Sequence, residues 1–137
     1  KPVLTVLPGS RRGEISRLGS DFAEAARLTQ QRVEHLQVCV PLASASGEAA
    51  FREVAGDAIR QGNFRVSVGD ADDCMAAADA LLVASGTATL EGLLHGKPMV
   101  VGYRVSPSTS RIVRMFNLIK LTHFSLPNLL TTEPLVP

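Results

Sequence analysis

A chain of 137 residues has room for one domain with a substantial core, and 45% hydrophobic against 20% charged residues excludes a disordered chain. With 14 basic and 13 acidic residues the net charge is +1, which excludes nonspecific nucleic-acid binding as the main task. The absence of Trp and the single Tyr103 remove a base-stacking platform as well.

Cys39 and Cys74 stand in no metal-like spacing. Cys39 lies inside an apolar run and reads as a buried small residue. No signal peptide is present and no apolar run approaches the roughly 20 residues that span a bilayer, so the chain reads as cytosolic. Lys1 enters a strand directly with no initiator Met, which reads as a fragment of a longer protein.

Pro2 to Leu7 is predicted as a first strand, central because it is apolar on both faces. Pro8-Gly9-Ser10-Arg11-Arg12-Gly13 then turns into a helix from Glu14 to Glu34. Its apolar face carries Ile15, Leu18, Phe22, Ala25, Thr29 and Val33. His35 to Pro41 reads as a second strand closed by the proline, with His35 on the surface at its start. Ser44 to Gly47 is a turn and cap. A helix from Glu48 to Arg60 follows, with Phe51, Val54, Ala55, Ala58 and Ile59 inward, and Gln61-Gly62-Asn63 stops it.

Phe64 to Val68 alternates as a third strand, and Asp72 to Ala78 forms a short helix. Asp70, Asp72 and Asp73 fit either a metal cluster or, the reading favoured by their place in a first helical turn, capping and dipole compensation. Ala80 to Ala84 is a fourth strand, followed by Ser85-Gly86-Thr87 and a helix to His95. Met99 to Tyr103 is a fifth strand, Pro107 to Leu121 a further helix, and the end is an ordered loop or extended tail. This β-α rhythm predicts an α/β fold, a Rossmann-like parallel sheet with helices on both faces and ligands at the carboxyl ends of the strands.

The turns after strands one, three, four and five all reach that edge. Neither G-x-x-x-x-G-K-[ST] nor G-x-G-x-x-G is present in them, which counts against nucleoside triphosphate hydrolysis and ordinary nicotinamide binding. Gly9, Ser10, Arg11 and Glu14 open a helix whose N–H groups and dipole suit a diphosphate; the plainer alternative is a simple helix cap. Ser85, Gly86, Thr87 and Ala88 open a second such helix. Glu91, one turn on, is either an acceptor for a ribose diol or an exposed acid serving the dipole. His95 and His123 are bases by residue type, and the place of His95 near a helix end favours a dipole role. In 111–121, Arg111, Arg114, Asn117 and Lys120 recur at steps of three among apolar residues. That pattern suits a membrane surface as well as a packed helix with one solvated face.

Four motifs occur in the order seen in lipid-A-disaccharide synthases: Leu7-Pro8-Gly9-Ser10-Arg11 with Glu14; Ala84-Ser85-Gly86-Thr87-Ala88 with Leu90-Glu91; Lys97 to Arg104; and Ser125-Leu126-Pro127-Asn128-Leu129-Leu130. The chain resembles the C-terminal, nucleotide-sugar-binding half of that family, across residues 1–137. The resemblance implies one half of a GT-B glycosyltransferase, with the N-terminal acceptor domain, its general base and the final C-terminal helices absent. It implies transfer from UDP-2,3-diacylglucosamine to 2,3-diacylglucosamine 1-phosphate, giving lipid A disaccharide 1-phosphate and UDP, with no metal and no cofactor.

On the resemblance, Arg11 and Asn128 stabilise the donor and its leaving group. Gly9, Ser10, Glu14, Ser85, Gly86, Thr87, Ala88, Glu91 and Tyr103 frame the nucleotide-sugar, and Val68 and Gly69 meet the uracil edge. Arg12 is expected to be a surface charge. The implied setting is cytoplasmic, peripheral to the inner membrane, with a homo-oligomer as a further expectation. Two alternatives are another GT-B donor domain, such as a UDP-N-acetylglucosamine epimerase or a peptidoglycan-type glycosyltransferase, and a non-catalytic binding module.

Overall fold

The structure is a computed structural model that describes residues 1–84 and 86–102, with Thr87 described by its backbone. The expected helix Pro107–Leu121 and the segment 125–130 lie outside the described residues.

Among the described residues five strands alternate with four helices: β1 (Val3–Leu7), α1 (Arg12–Arg32), β2 (Gln37–Leu42), α2 (Ala45–Gln61), β3 (Phe64–Val68), α3 (Ala71–Ala77), β4 (Ala80–Ala84), α4 (Thr87–Leu94) and β5 (Met99–Gly102). The sheet order is β3-β2-β1-β4-β5 and every pairing is parallel. The expected α/β fold with a central β1 is therefore what forms.

Strand alternation sends successive side chains to opposite faces. Val6, Val38, Val40, Leu42 and Ala84 pack under α1 and α2 in one core. Leu7, Leu81, Val83 and Met99 pack with Met75 of α3 and Ala88 of α4 in a second core. Gly92 brings α4 close to that layer, since a Cβ there would stand 2.7 Å from Leu81 Cδ1 and Met99 Cε. Helices thus cover both faces, α1 with α2 on one and α3 with α4 on the other. The reversal of winding falls between β1 and β4.

Several expected boundaries shift. α1 begins at Arg12 rather than Glu14, because Arg11 already supplies the first helical acceptor: its carbonyl takes the Ile15 N–H at 3.0 Å. The buried stripe of α1 is Ile15, Leu18, Gly19, Phe22, Ala23 and Ala26. Ala25 and Val33 are exposed and Thr29 is half-buried, so the expected stripe drifts off the core after Phe22. Gly19 sits against α2, where its missing Cβ leaves room for Val54 and Phe51.

β2 runs from Gln37 through Pro41 to Leu42, so the proline does not close it. Paired residues on β1 end opposite Cys39, and Pro41 sits past that ladder, where a missing donor is tolerated. His35 falls in the turn before β2, at φ 59. Cys39 is half-buried rather than buried; Cys74 is the buried thiol. α2 starts at Ala45 rather than Glu48, and Ser44 is its cap, with Oγ accepting the Gly47 N–H at 3.1 Å.

Asp70 precedes α3, yet its side chain does not cap it. It accepts instead from Ser67 Oγ at 2.6 Å and Arg65 Nη2 at 3.2 Å. Asp72 and Asp73 lie in the first turn of α3, as the dipole reading expects.

Candidate nucleotide-sugar site

Parallel strands deliver their following turns to one edge of the sheet, and at the point where winding reverses those turns part to leave a crevice. A cavity of about 380 Å³ lies there. The turn after β1 contributes Gly9, Ser10, Arg11 and Glu14; the turn after β4 contributes Gly86, Ala88 and Glu91. These seven sequence-predicted residues are brought together in one cavity.

Each wall is a helix start. Gly9 holds φ 122, a conformation that glycine adopts without strain. The Glu14 carboxyl lies directly against it: a Cβ on Gly9 would stand 2.5 Å from Glu14 Oε1. Arg11 is extended, at φ −98 and ψ 144, exposed, and offers no side-chain cap to α1. On the other wall Gly86 holds φ 146, and among the described residues, its chain neighbours aside, no atom lies within 4 Å of where its Cβ would be. It too gives no side-chain cap to α4. The first N–H groups of a helix have no acceptor inside it. Two helix starts without side-chain caps and one arginine face this cavity, and their N–H groups and guanidinium suit an anion, while Glu14 and Glu91 add two carboxylates to the same lining. α2 differs, with Ser44 covering its start.

Glu14 is half-buried and Glu91 exposed. A carboxylate accepts hydrogen bonds and does not bind phosphate, so both suit ligand hydroxyls better than the anion. Glu91 remains compatible with either of its two readings, since it is exposed and also lines the cavity.

The remaining predicted residues are placed differently. Val68 and Gly69 sit on the same edge outside this lining, with Val68 43% exposed. Arg12 is exposed and also outside it. His95 ends α4 and its Nε2 meets Asp72 Oδ1 at 2.9 Å, which ties α4 to α3. Ser85, Tyr103, Asn128 and the side chain of Thr87 lie outside what is described.

Sequence reasoning missed the floor and the third wall. Leu7 and Ala84 end their strands at the cavity, Pro41 and Ala43 reach it from β2, and Ala71 from α3. The signal for Ala43 was available, because β2 is parallel to its neighbours and its turn must emerge on the same edge. Thr89, fully buried with its hydroxyl on the Gly86 carbonyl, was also missed. A second hollow, of about 320 Å³, lies around Gln30 at the opposite edge. The Gln30 amide is committed there to Leu36 and Asn63, holding the starts of β2 and β3 together.

Fold and cavity together define a doubly wound α/β domain with a polar-lined crevice at its switch point. A family model described as lipid-A-disaccharide synthetase matches residues 1–137, and the chain belongs to that family. A lipid-A-disaccharide synthase of Xanthomonas oryzae pv. oryzae (strain MAFF 311018) is 46% identical over 136 residues, covering 98% of this chain and 32% of the relative. One from Xylella fastidiosa (strain M23) is 44% identical over 137 residues, covering 99% of this chain and 36% of the relative. The chain therefore spans about a third of the length of these relatives.

Proposed function

We propose that this chain is the donor-nucleotide domain of a glycosyltransferase of lipid A biosynthesis. The transfer joins UDP-2,3-diacylglucosamine to 2,3-diacylglucosamine 1-phosphate, forming lipid A disaccharide 1-phosphate and releasing UDP. One observation carries the reading: the starts of α1 and α4, neither with a side-chain cap, face one cavity with Arg11 in a chain of this family.

In this reading the helix starts and Arg11 take the diphosphate. Negative charge grows on the UDP oxygen as the glycosidic bond breaks, and preorganised donors stabilise it more in the transition state than in the bound substrate. Glu91 accepts the ribose hydroxyls, and Glu14, packed on Gly9, orients the turn and reaches the sugar side. Ser10, Ser85, Thr87, Ala88 and Tyr103 complete the frame, Val68 and Gly69 lie toward the base, and Asn128 reaches the donor. The acceptor and its general base belong to a separate domain, so the chain alone binds UDP without turnover. No helix among the described residues is long and apolar enough to cross a membrane. We assign residues 111–121 a peripheral contact with the inner membrane, where both lipid substrates reside.

Calorimetric titration with UDP, with and without magnesium, tests the reading. Metal-independent binding is expected, and Arg11→Ala is expected to weaken it by about 1.5–3 kcal/mol, the scale of a hydrogen bond to a charged group. A folded chain that shows no heat with UDP overturns the assignment.

A further inference from the structure

Two polar side chains are completely buried among the described residues, Thr5 and Thr89. Thr5 Oγ1 donates to the Cys74 carbonyl at 2.9 Å and fixes α3 on β1. Thr89 sits in the first turn of α4. Its Oγ1 donates to the Gly86 carbonyl at 2.5 Å, and its own N–H reaches the same oxygen at 3.2 Å.

The acceptor is unusual. Gly86, at φ 146 and ψ −156, occupies a region open in practice to glycine alone. Glycine has no side chain with which to hold that conformation, and among the described residues, its chain neighbours aside, no atom lies within 4 Å of its would-be Cβ. Among the described residues, packing therefore does not fix this peptide at the would-be Cβ. The hold comes from behind, through the Thr89 hydroxyl. A threonine in a helix can bond back to the carbonyl three or four residues earlier, and here that carbonyl belongs to the cavity-lining residue before the helix.

We propose that Thr89 is a positioning residue of the nucleotide cavity: its buried hydroxyl fixes the Gly86 carbonyl, and with it the direction in which the following N–H groups of α4 point toward a bound diphosphate. The proposal rests on the donor-site reading above. Thr89 itself, fully buried, does not meet the ligand. Removing the hydroxyl leaves the Gly86 carbonyl with the N–H bond alone, and the glycine regains the freedom that its missing Cβ gives it.

The test compares Thr89→Val, which keeps shape and loses the donor, with Thr89→Ser, which keeps the donor and loses a methyl. UDP affinity and backbone amide exchange at Gly86, Thr87 and Ala88 are measured on the full chain. Thr89→Val is expected to weaken UDP binding about tenfold, the scale of one buried hydrogen bond, and to speed exchange at those three amides. Thr89→Ser is expected to restore both to near wild type. If the valine variant does not fold, Thr89→Ala carries the same expectation.

Valine or alanine variants that bind UDP like wild type, or a serine variant as weak as valine, overturn the proposal. Should the wild-type chain not bind UDP, the donor-site reading fails by itself. The exchange rates then decide on Thr89: unchanged rates overturn its positioning role, and a local rise that serine reverses supports it.

Discussion

Cys74 shows what one buried thiol does to the stability of the chain. It is 5% exposed on α3, and burial, with Asp70 nearby, pushes its pKa up from 9.0 to about 11. The folded thiol therefore keeps its proton to higher pH than the unfolded one. Between pH 9 and 11 the unfolded chain binds fewer protons at this position, so stability falls as pH rises. The contribution is complete below pH 9 and lost above 11, about 2–3 kcal/mol in all. Urea denaturation at pH 8.5, 10 and 11 checks this. The loss over that window is expected to be smaller by that amount in Cys74→Ala than in wild type, and equal slopes would refute it. At this scale the candidate site was largely legible. Gly9, Arg11 and Glu91 each had a plain structural reading, and what singled them out was that two strand-to-helix turns with such residues had to reach the same sheet edge. Thr89 was not legible, since a threonine in a helix looks like weak helix propensity until its acceptor is seen.

The helices differ in how their starts are managed: α1, α3 and α4 have no side-chain cap, and α2 has one. Ser44 caps α2 through the Gly47 N–H. Ser44→Ala is expected to cost about 1 kcal/mol in thermal or urea unfolding, the usual value of an N-cap, while UDP affinity stays as in wild type. A drop in UDP affinity equal to that of Arg11→Ala would mean that α2 also contributes to the cradle. Element identity and order were readable from apolar periodicity throughout residues 1–102. Ends and helix phase were less so. Helical residues turn 100° each, so a face read at fixed steps of three and four slides around a long helix. Ala25 fell off the core of α1 in that way and Val33 lies past the helix as its extended C-cap, while Gly19 and Ala26, too small to register as apolar signal, lie buried where α1 meets its neighbours. Pro41 misled because a proline normally ends a strand, and only the length of the β1 ladder shows why this one does not.

For the whole molecule, the β-α rhythm fixed a doubly wound sheet with few alternatives, because right-handed crossovers leave little choice of topology. Which turns meet in one cavity depended on strand order, which periodicity does not encode. The winding reversal beside β1 places α1 on one layer and α4 on the other, each with its own core. A diphosphate held by both helix starts would therefore join two layers that lie on opposite faces of the sheet. Ligand that binds the folded chain alone adds RT ln(1 + [L]/Kd), about 2.7 kcal/mol at a hundredfold excess over Kd. UDP at that excess is expected to raise the melting temperature by several degrees in a scanning measurement and to slow amide exchange in α1 and α4 alike. Protection confined to one of the two helices would show that the ligand rests on a single layer. The crevice proposed for the nucleotide would then act as a reinforcing joint as well, and donor supply in the cell would bear on how long the folded domain survives.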